Sequence, residues 1–266
     1  MSVRYAVSIP NMGDPARLVG IAIAAERAGW DGVFLWDHLH FVRELGLDVV
    51  DPWVTLGAIA GNTERVRLGT LVTPLPRRRP WKLAKEVITL DHLSDGRAVL
   101  GVGIGEPAPD EYGAFGESTD ARERAALLDE GLTLVDRFLR GGPVHHRGER
   151  FDVDADLRPA ARQQPRPPIW IAGKWPNRGP VERARRWEAF VPIQPDGSPA
   201  GPEVTAQAVA AVGGDGVEIV ACAAPGVPAS EYEDAGASWL VESTWPGMDG
   251  WVEDLERLAA DGPVAR

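Results

Sequence analysis

The chain carries a single cysteine, Cys222, in 266 residues. One thiol cannot build an intrachain disulfide framework, and its isolation suits a reducing cytosol. Basic residues are short as well: 28 Lys and Arg stand against 39 Asp and Glu, for a formal net charge of −11. A nucleic-acid binder needs a basic surface to meet phosphates, so that class is excluded, and an anionic ligand would need a local pocket of donors. No apolar run approaches the roughly 18 residues that span a bilayer. Met1-Ser2-Val3-Arg4 leads straight into a strand-like segment instead of a secretory leader. At 44% hydrophobic residues the chain is not disordered. The expectation is a soluble, cytoplasmic protein with no membrane or nucleic-acid partner.

Strand-like and helical patterns alternate from end to end. Arg4 to Ile9 reads as a strand halted by Pro10; Asp14 and Pro15 then open a helix that Gly29 stops. Gly32 to Trp36 is a short apolar run of the kind buried on both faces of a parallel sheet. Six further strands are expected at 66–73, 97–104, 169–173, 189–193, 217–221 and 238–242. Helices are expected over 51–62, 80–93, 121–140, 178–187, 202–212, 229–235 and 249–260. Residues 105–120 read as a long loop and 142–168 as an irregular excursion. Eight strands, each followed by a helix, predict a closed (β/α)8 barrel in a single domain over residues 1–266. A doubly wound open sheet is the competitor, but Ser8-Ile9-Pro10-Asn11-Met12-Gly13 after the first strand lacks a dinucleotide-binding glycine fingerprint.

In such a barrel the chemistry lies at the carboxyl ends of the strands. The second strand delivers Trp36-Asp37-His38-Leu39-His40, and the fourth Gly101-x-Gly103-x-Gly105-Glu106. The His38–His40 pair would suit a metal only with further ligands from later strands, and none of the five histidines lies beyond His146. His40, His145 and His146 therefore read as surface residues, and no metal is expected. Glu106 and Glu242 could form a glycosidase pair, or Glu106 could cap a turn and Glu242 be a buried structural partner. Gly101, Gly103 and Gly105 allow backbone to lie flat against a planar ligand, or close packing of strand against helix. The Gly173 to Gly179 loop, with Lys174, Trp175 and Arg178, runs into a helix start that suits phosphate, or is a solvated loop. Arg77-Arg78-Arg79 reads as an exposed charge cluster, or as a group that meets an anionic cofactor tail.

Ala24 to His38, Val66 to Pro74, Leu83-Ala84-Lys85, Pro168 to Gly173, Ala235 to Val241 and above all Thr89-Leu90-Asp91-His92-Leu93-Ser94-Asp95-Gly96-Arg97 with its following strand resemble the luciferase-like oxidoreductases. Members of that family are barrel enzymes that use FMN or the deazaflavin F420. The resemblance implies hydride transfer between a bound F420 and a small organic substrate, with FMN-dependent monooxygenation as the alternative. A flavin-binding protein without turnover is the competitor from another class. By resemblance, His38 is the ring partner and proton donor, Asp37 orients it or its loop, and Glu106 is a second acid–base. Leu71–Val72 matches a non-prolyl cis peptide behind the ring, and Gly103 and Gly105 lie near it. Gly173, Lys174, Trp175, Arg178 and Gly179 match the phosphate loop, while Trp36, Trp175 and Trp245 wall an apolar pocket. The chain reads as a short form with trimmed insertions, whose pocket is left open or is completed by a second subunit, and a homodimer is expected.

Overall fold

Aspartate, proline and glycine set the helix ends. In the computed structural model, which describes residues 3–212, 214 and 216–263, β1 (Arg4–Ile9) leads to α1 (Pro15–Ala28), where Asp14 accepts the amide of Ala16 and left-handed Gly29 closes the last turn. After β2 (Gly32–Leu35), Asp51 accepts the amide of Val54 and Pro52 opens α2 (Pro52–Asn62). Then follow β3 (Arg67–Pro74), α3 (Pro80–Leu93), β4 (Ala98–Gly103), the one-turn α4 (Ala108–Glu111) and α5 (Ala121–Arg140). The second half comprises the hairpin of β5 (Pro143–Arg147) and β6 (Asp152–Asp156), then β7 (Ile169–Lys174), α6 (Arg178–Ala184), β8 (Ala189–Ile193), α7 (Pro202–Val212), β9 (Glu218–Cys222), α8 (Ala229–Asp234), β10 (Trp239–Glu242) and α9 (Trp251–Asp261). Met1 and Ser2, the start of the segment read as leading into the first strand, and 264–266, the end of the expected domain, lie outside the described residues.

Eight strands close into a barrel in the order β1-β10-β9-β8-β7-β4-β3-β2, every neighbouring pair parallel. These are the eight strands expected from the sequence. The segment 142–168, read as irregular, instead holds the antiparallel β5–β6 hairpin, pairing Val144 with Ala155 and His146 with Val153. Its few apolar residues alternate with charged ones, a pattern too short to register as strand. His146, read as a surface residue, is mostly covered and sits 3.0 Å from Glu130. The long loop over 105–120 contains α4, and β2 ends at Leu35, one residue short of Trp36.

Side-chain size decides where the barrel is full and where it is open. Phe34, Trp170 and Trp239 pack within the barrel, with Phe34–Trp170 and Trp170–Trp239 ring centres 4.8 and 5.3 Å apart. Alanines 6 and 189 make room for them. Towards the carboxyl ends the inward positions become small: Ser8, which pairs with Phe34, and Gly101, which pairs with Trp170. A shallow mouth results.

Between β3 and β4 the backbones leave no space for a Cβ. One built on Gly69 would lie 1.7 Å from the Val99 carbonyl oxygen, whereas one on Gly57, in the middle of α2, meets nothing within 4 Å. Gly69→Ala is therefore expected to cost about 3 kcal/mol or more through forced displacement of the strand. Gly57→Ala is expected to stabilise by roughly 0.5–1 kcal/mol, the helical preference of alanine. Urea unfolding of both variants checks the pair; a Gly69→Ala protein as stable as the parent would contradict the strand contact.

Candidate active site

The carboxyl ends of the barrel strands bring the sequence's candidates to one end of the molecule. The floor of the mouth is built by Leu71, Val72, Ala172, Ile193 and Cys222, which close over the inner core. The Leu71–Val72 peptide bond is cis, and the β3–β4 register shifts between Thr70 and Thr73. A Cβ on Gly103 would lie 3.2 Å from Val72, so a side chain there would crowd the floor. Gly105 (φ 79°) is left-handed, and a Cβ on it would collide with Pro74 and Tyr112. Its need is local packing. Burial pushes the Cys222 thiol up to about 11, keeping it protonated.

His38 lies beyond the end of β2 among aromatic rings. Its ring centre is 4.8 Å from that of Phe41 and 5.7 Å from that of Trp36. Trp245, from the loop after β10, closes on Phe41 at 5.6 Å and on Trp36 at 6.0 Å. Trp36 in turn donates to the Ser8 hydroxyl at 2.9 Å. Trp175 stands apart from this group: it packs against Phe190 and donates to Gln207.

Asp37 faces away from this cluster. Its buried carboxylate accepts from Arg77 at 3.0 Å, Arg78 at 2.8 Å, Thr73 at 2.7 Å and Trp53 at 3.3 Å. Arg77, read from sequence as part of an exposed cluster, is only 3% exposed, because its other side meets the equally buried Glu111. Arg78 is largely covered as well, while Arg79 is exposed. A run of three arginines between prolines does not reveal that two carboxylates from other loops wait beneath it.

Glu111 is the residue that sequence reasoning missed. From the end of α4 its carboxylate accepts the amides of Leu39 (3.1 Å), His40 (3.0 Å) and Phe41 (2.6 Å), and lies 3.4 Å from His38 Nδ1. Burial opposes its charge, but the His38 imidazole, the Arg77 guanidinium and the His40 amide outweigh that and hold the carboxyl down to about 2. Only its place in the loop after a barrel strand could have marked it, and Glu106 and Asp110 share that mark.

The remaining candidates are dispersed. Glu106 is 47% exposed, accepting from Arg124 at 3.3 Å and from the Ala108 amide at 3.2 Å. Glu242 pairs in register with Val7, on the helix side of the barrel wall, where burial raises its carboxyl. The two acids do not form a pair. Lys174 pairs with Ile193 and so shares its mouth-facing side, and its side chain has no hydrogen bond or ion pair among the described residues. Arg178 is 89% exposed and bound to Glu182 within α6. A Cβ on Gly173 would strike Pro180, whereas Gly179 is open. Among the described residues no three His, Cys, Asp or Glu side chains gather as a metal would require, and no helix is long and apolar enough to cross a membrane.

Against known proteins, the family model described as luciferase-like monooxygenase matches residues 2–229. The chain belongs to that family. An F420-dependent glucose-6-phosphate dehydrogenase of Nakamurella multipartita is 38% identical over 153 residues, covering 56% of this chain and 44% of that protein. An uncharacterized protein y4wF of Sinorhizobium fredii is 37% identical over 172 residues, covering 64% and 46%. The chain thus spans about half the length of the curated relatives it matches. Among solved structures, an F420-dependent secondary alcohol dehydrogenase with an F420-acetone adduct superposes with a TM-score of 0.80 at 17% identity, over 98% of this chain and 99% of that one. Monooxygenase RslO1 from Streptomyces bottropensis gives 0.76 at 20% identity, over 97% and 98%. These likenesses show a common barrel. In this family member the Glu111–Arg77–Asp37 network lies beneath His38.

That network sets an acid dependence. A carboxyl held at about 2 when folded and near 4.5 when unfolded takes up its proton first in the unfolded chain. Its contribution to stability is then complete above about 4.5 and lost as pH falls towards about 2. Glu111→Gln is expected to be less stable than the parent at pH 7, with the gap narrowing across that interval. Urea unfolding at a series of pH values measures it. A gap that stays constant would show that the folded carboxyl carries no special charge.

Proposed function

We propose that this chain is an oxidoreductase that holds F420 across the barrel mouth and moves hydride between it and a small organic substrate, with His38 handling the proton. The observation that carries this is a histidine held by Glu111 beyond the end of β2, at the same barrel end as Val72, Gly103 and Ala172, in a chain akin to F420-dependent dehydrogenases. The floor fits a planar heterocycle: Gly103 keeps it level, and no bulky side chain rises from β4. When bound, F420 supplies a ring carbon that takes or gives hydride and reacts poorly with oxygen.

The chain's own groups do the rest. Trp36, Phe41 and Trp245 exclude water on the His38 side, which strengthens every polar contact made there. With Nδ1 turned to Glu111, the Nε2 atom is left for a substrate oxygen. Lys174 and the amides leading into α6, whose N-cap Asn177 makes no side-chain bond, suit an anionic tail along residues 173–179. Trp175 and Arg178 belong to that loop without facing the mouth. Glu106, anchored on Arg124, keeps the segment that carries Glu111 at the rim. A homodimer would use the uncharged α2, whose Val54 is 76% exposed, and the lone Cys222 suits a reducing cytoplasm.

The second reading is FMN-dependent monooxygenation, favoured by the family's description and by the fold shared with RslO1. Titration of the pure protein with F420 and with FMN, followed by absorbance and fluorescence, separates the two. F420 is expected to bind; tight FMN binding with none of F420 would reverse the choice. His38→Ala is expected to keep cofactor affinity and lose on the order of 10²–10⁴ in turnover, the span of a positioned acid–base group. Wild-type rates in that variant would remove His38 from the reaction, and absence of turnover by the parent with either cofactor would leave a binding protein.

A further inference from the structure

His38 is held at more points than a loop residue needs. Its amide donates to the Asn11 side-chain oxygen at 3.2 Å, and its carbonyl accepts from the Asn11 side-chain nitrogen at 2.9 Å. Asn11 is fully buried in the loop after β1 and donates also to the Val50 carbonyl at 2.6 Å. The backbone of His38 is thus fastened on one side by a single amide group. On the other side, Leu39, His40 and Phe41 curl their N–H groups round the Glu111 carboxylate, a turn that requires left-handed Phe41 (φ 56°). Successive amides in such a turn form a natural anion cradle, and the strained residue persists only because its surroundings hold it.

The imidazole itself has one loose end. Nδ1 is buried and lacks a hydrogen-bond partner, and the acceptor that faces it is Glu111 Oε1 at 3.4 Å. The other charges close by are already engaged. Arg77, from the turn after β3, spans Glu111 and Asp37, and Arg78 spans Asp37 and Glu86.

We infer that Glu111 is the positioning residue of His38, directing the imidazole proton to Nδ1 and leaving the Nε2 lone pair towards the mouth. Asn11 fixes the backbone so that this orientation is the one presented. The part that Glu111 plays in turnover rests on the oxidoreductase reading; the ring orientation does not. In that reaction Nε2 would accept the proton of a substrate hydroxyl as the adjoining carbon gives up hydride, and would return it when a carbonyl is reduced to the hydroxyl.

The test uses the cofactor-free protein labelled with ¹⁵N-histidine, with long-range ¹H–¹⁵N correlations recorded where the rings are neutral and His38 assigned by its loss in His38→Ala. In the parent, His38 is expected as the Nδ1–H form. Glu111→Gln keeps one acceptor oxygen for the amides but removes the charge, and is expected to move His38 towards the Nε2–H form while the other four histidines hold. Glu111→Asp, which retains the charge, is expected to restore Nδ1–H. In assays, Glu111→Gln is expected to lower kcat on the order of 100-fold with little change in KM, near the lower end of what a positioned acid–base group contributes. An Nε2–H ring in the parent, or an Nδ1–H ring that survives in Glu111→Gln, overturns the inference. Should Glu111→Gln fail to fold, the parent spectrum alone decides. An Nδ1–H ring in a protein that turns over neither cofactor sustains the positioning and sinks the oxidoreductase reading.

Discussion

One guanidinium joins the loops that make the mouth. Arg77, from the turn after β3, bonds to Asp37 beyond β2 and to Glu111 beyond β4, so three successive strand ends are tied through a single buried cation. Charges taken out of water are costly unless each is paired and hydrogen-bonded. Here two carboxylates and two arginines satisfy one another, Thr73 and Trp53 fill the remaining positions on Asp37, and three amides fill those on Glu111. Removing one member strands the others, so the geometry is all or nothing. His38 inherits its place from that condition.

The floor beneath depends on a different constraint. Three large rings fill the barrel low down, and above them come Ser8 and Gly101 together with the floor residues Leu71, Val72, Ala172, Ile193 and Cys222. Gly101 completes the arrangement, since a Cβ there would lie 2.3 Å from the Thr70 carbonyl oxygen. The shift in β3 after Thr70 then carries Leu71 and Val72 over the inner core. The apolar floor and the charged network thus lie at the same end of the barrel.

Local signals marked the elements well. Asp14-Pro15, Asp51-Pro52 and Gly29 act within one turn of the chain, so their effect is readable from neighbours alone. The β5–β6 hairpin escaped notice because its strands are short and half polar; its stability comes from α5 and α3 beneath it, where Glu130 meets His146 and Trp81 meets Phe151. His38, Trp36 and Trp245 were legible as strand-end residues, since the barrel sends every such residue to the same end. Glu106 and Glu111 were not separable, because both follow β4 and only the single turn of α4 decides which carboxylate swings under His38. The arginines misled for the same reason: exposure is a property of what comes to cover a side chain.

Period and punctuation along the chain thus determined a closed barrel of eight parallel strands, with its chemistry at one pole. Tertiary structure alone decided that Arg77 is buried, that Glu111 faces His38 and that Asn11 grips its backbone. Those contacts join residues 27 to 73 positions apart, and no local pattern encodes a partner at that distance. Only closure of the barrel, which places the ends of β1, β2, β3 and β4 side by side, brings these charges close enough to select one another.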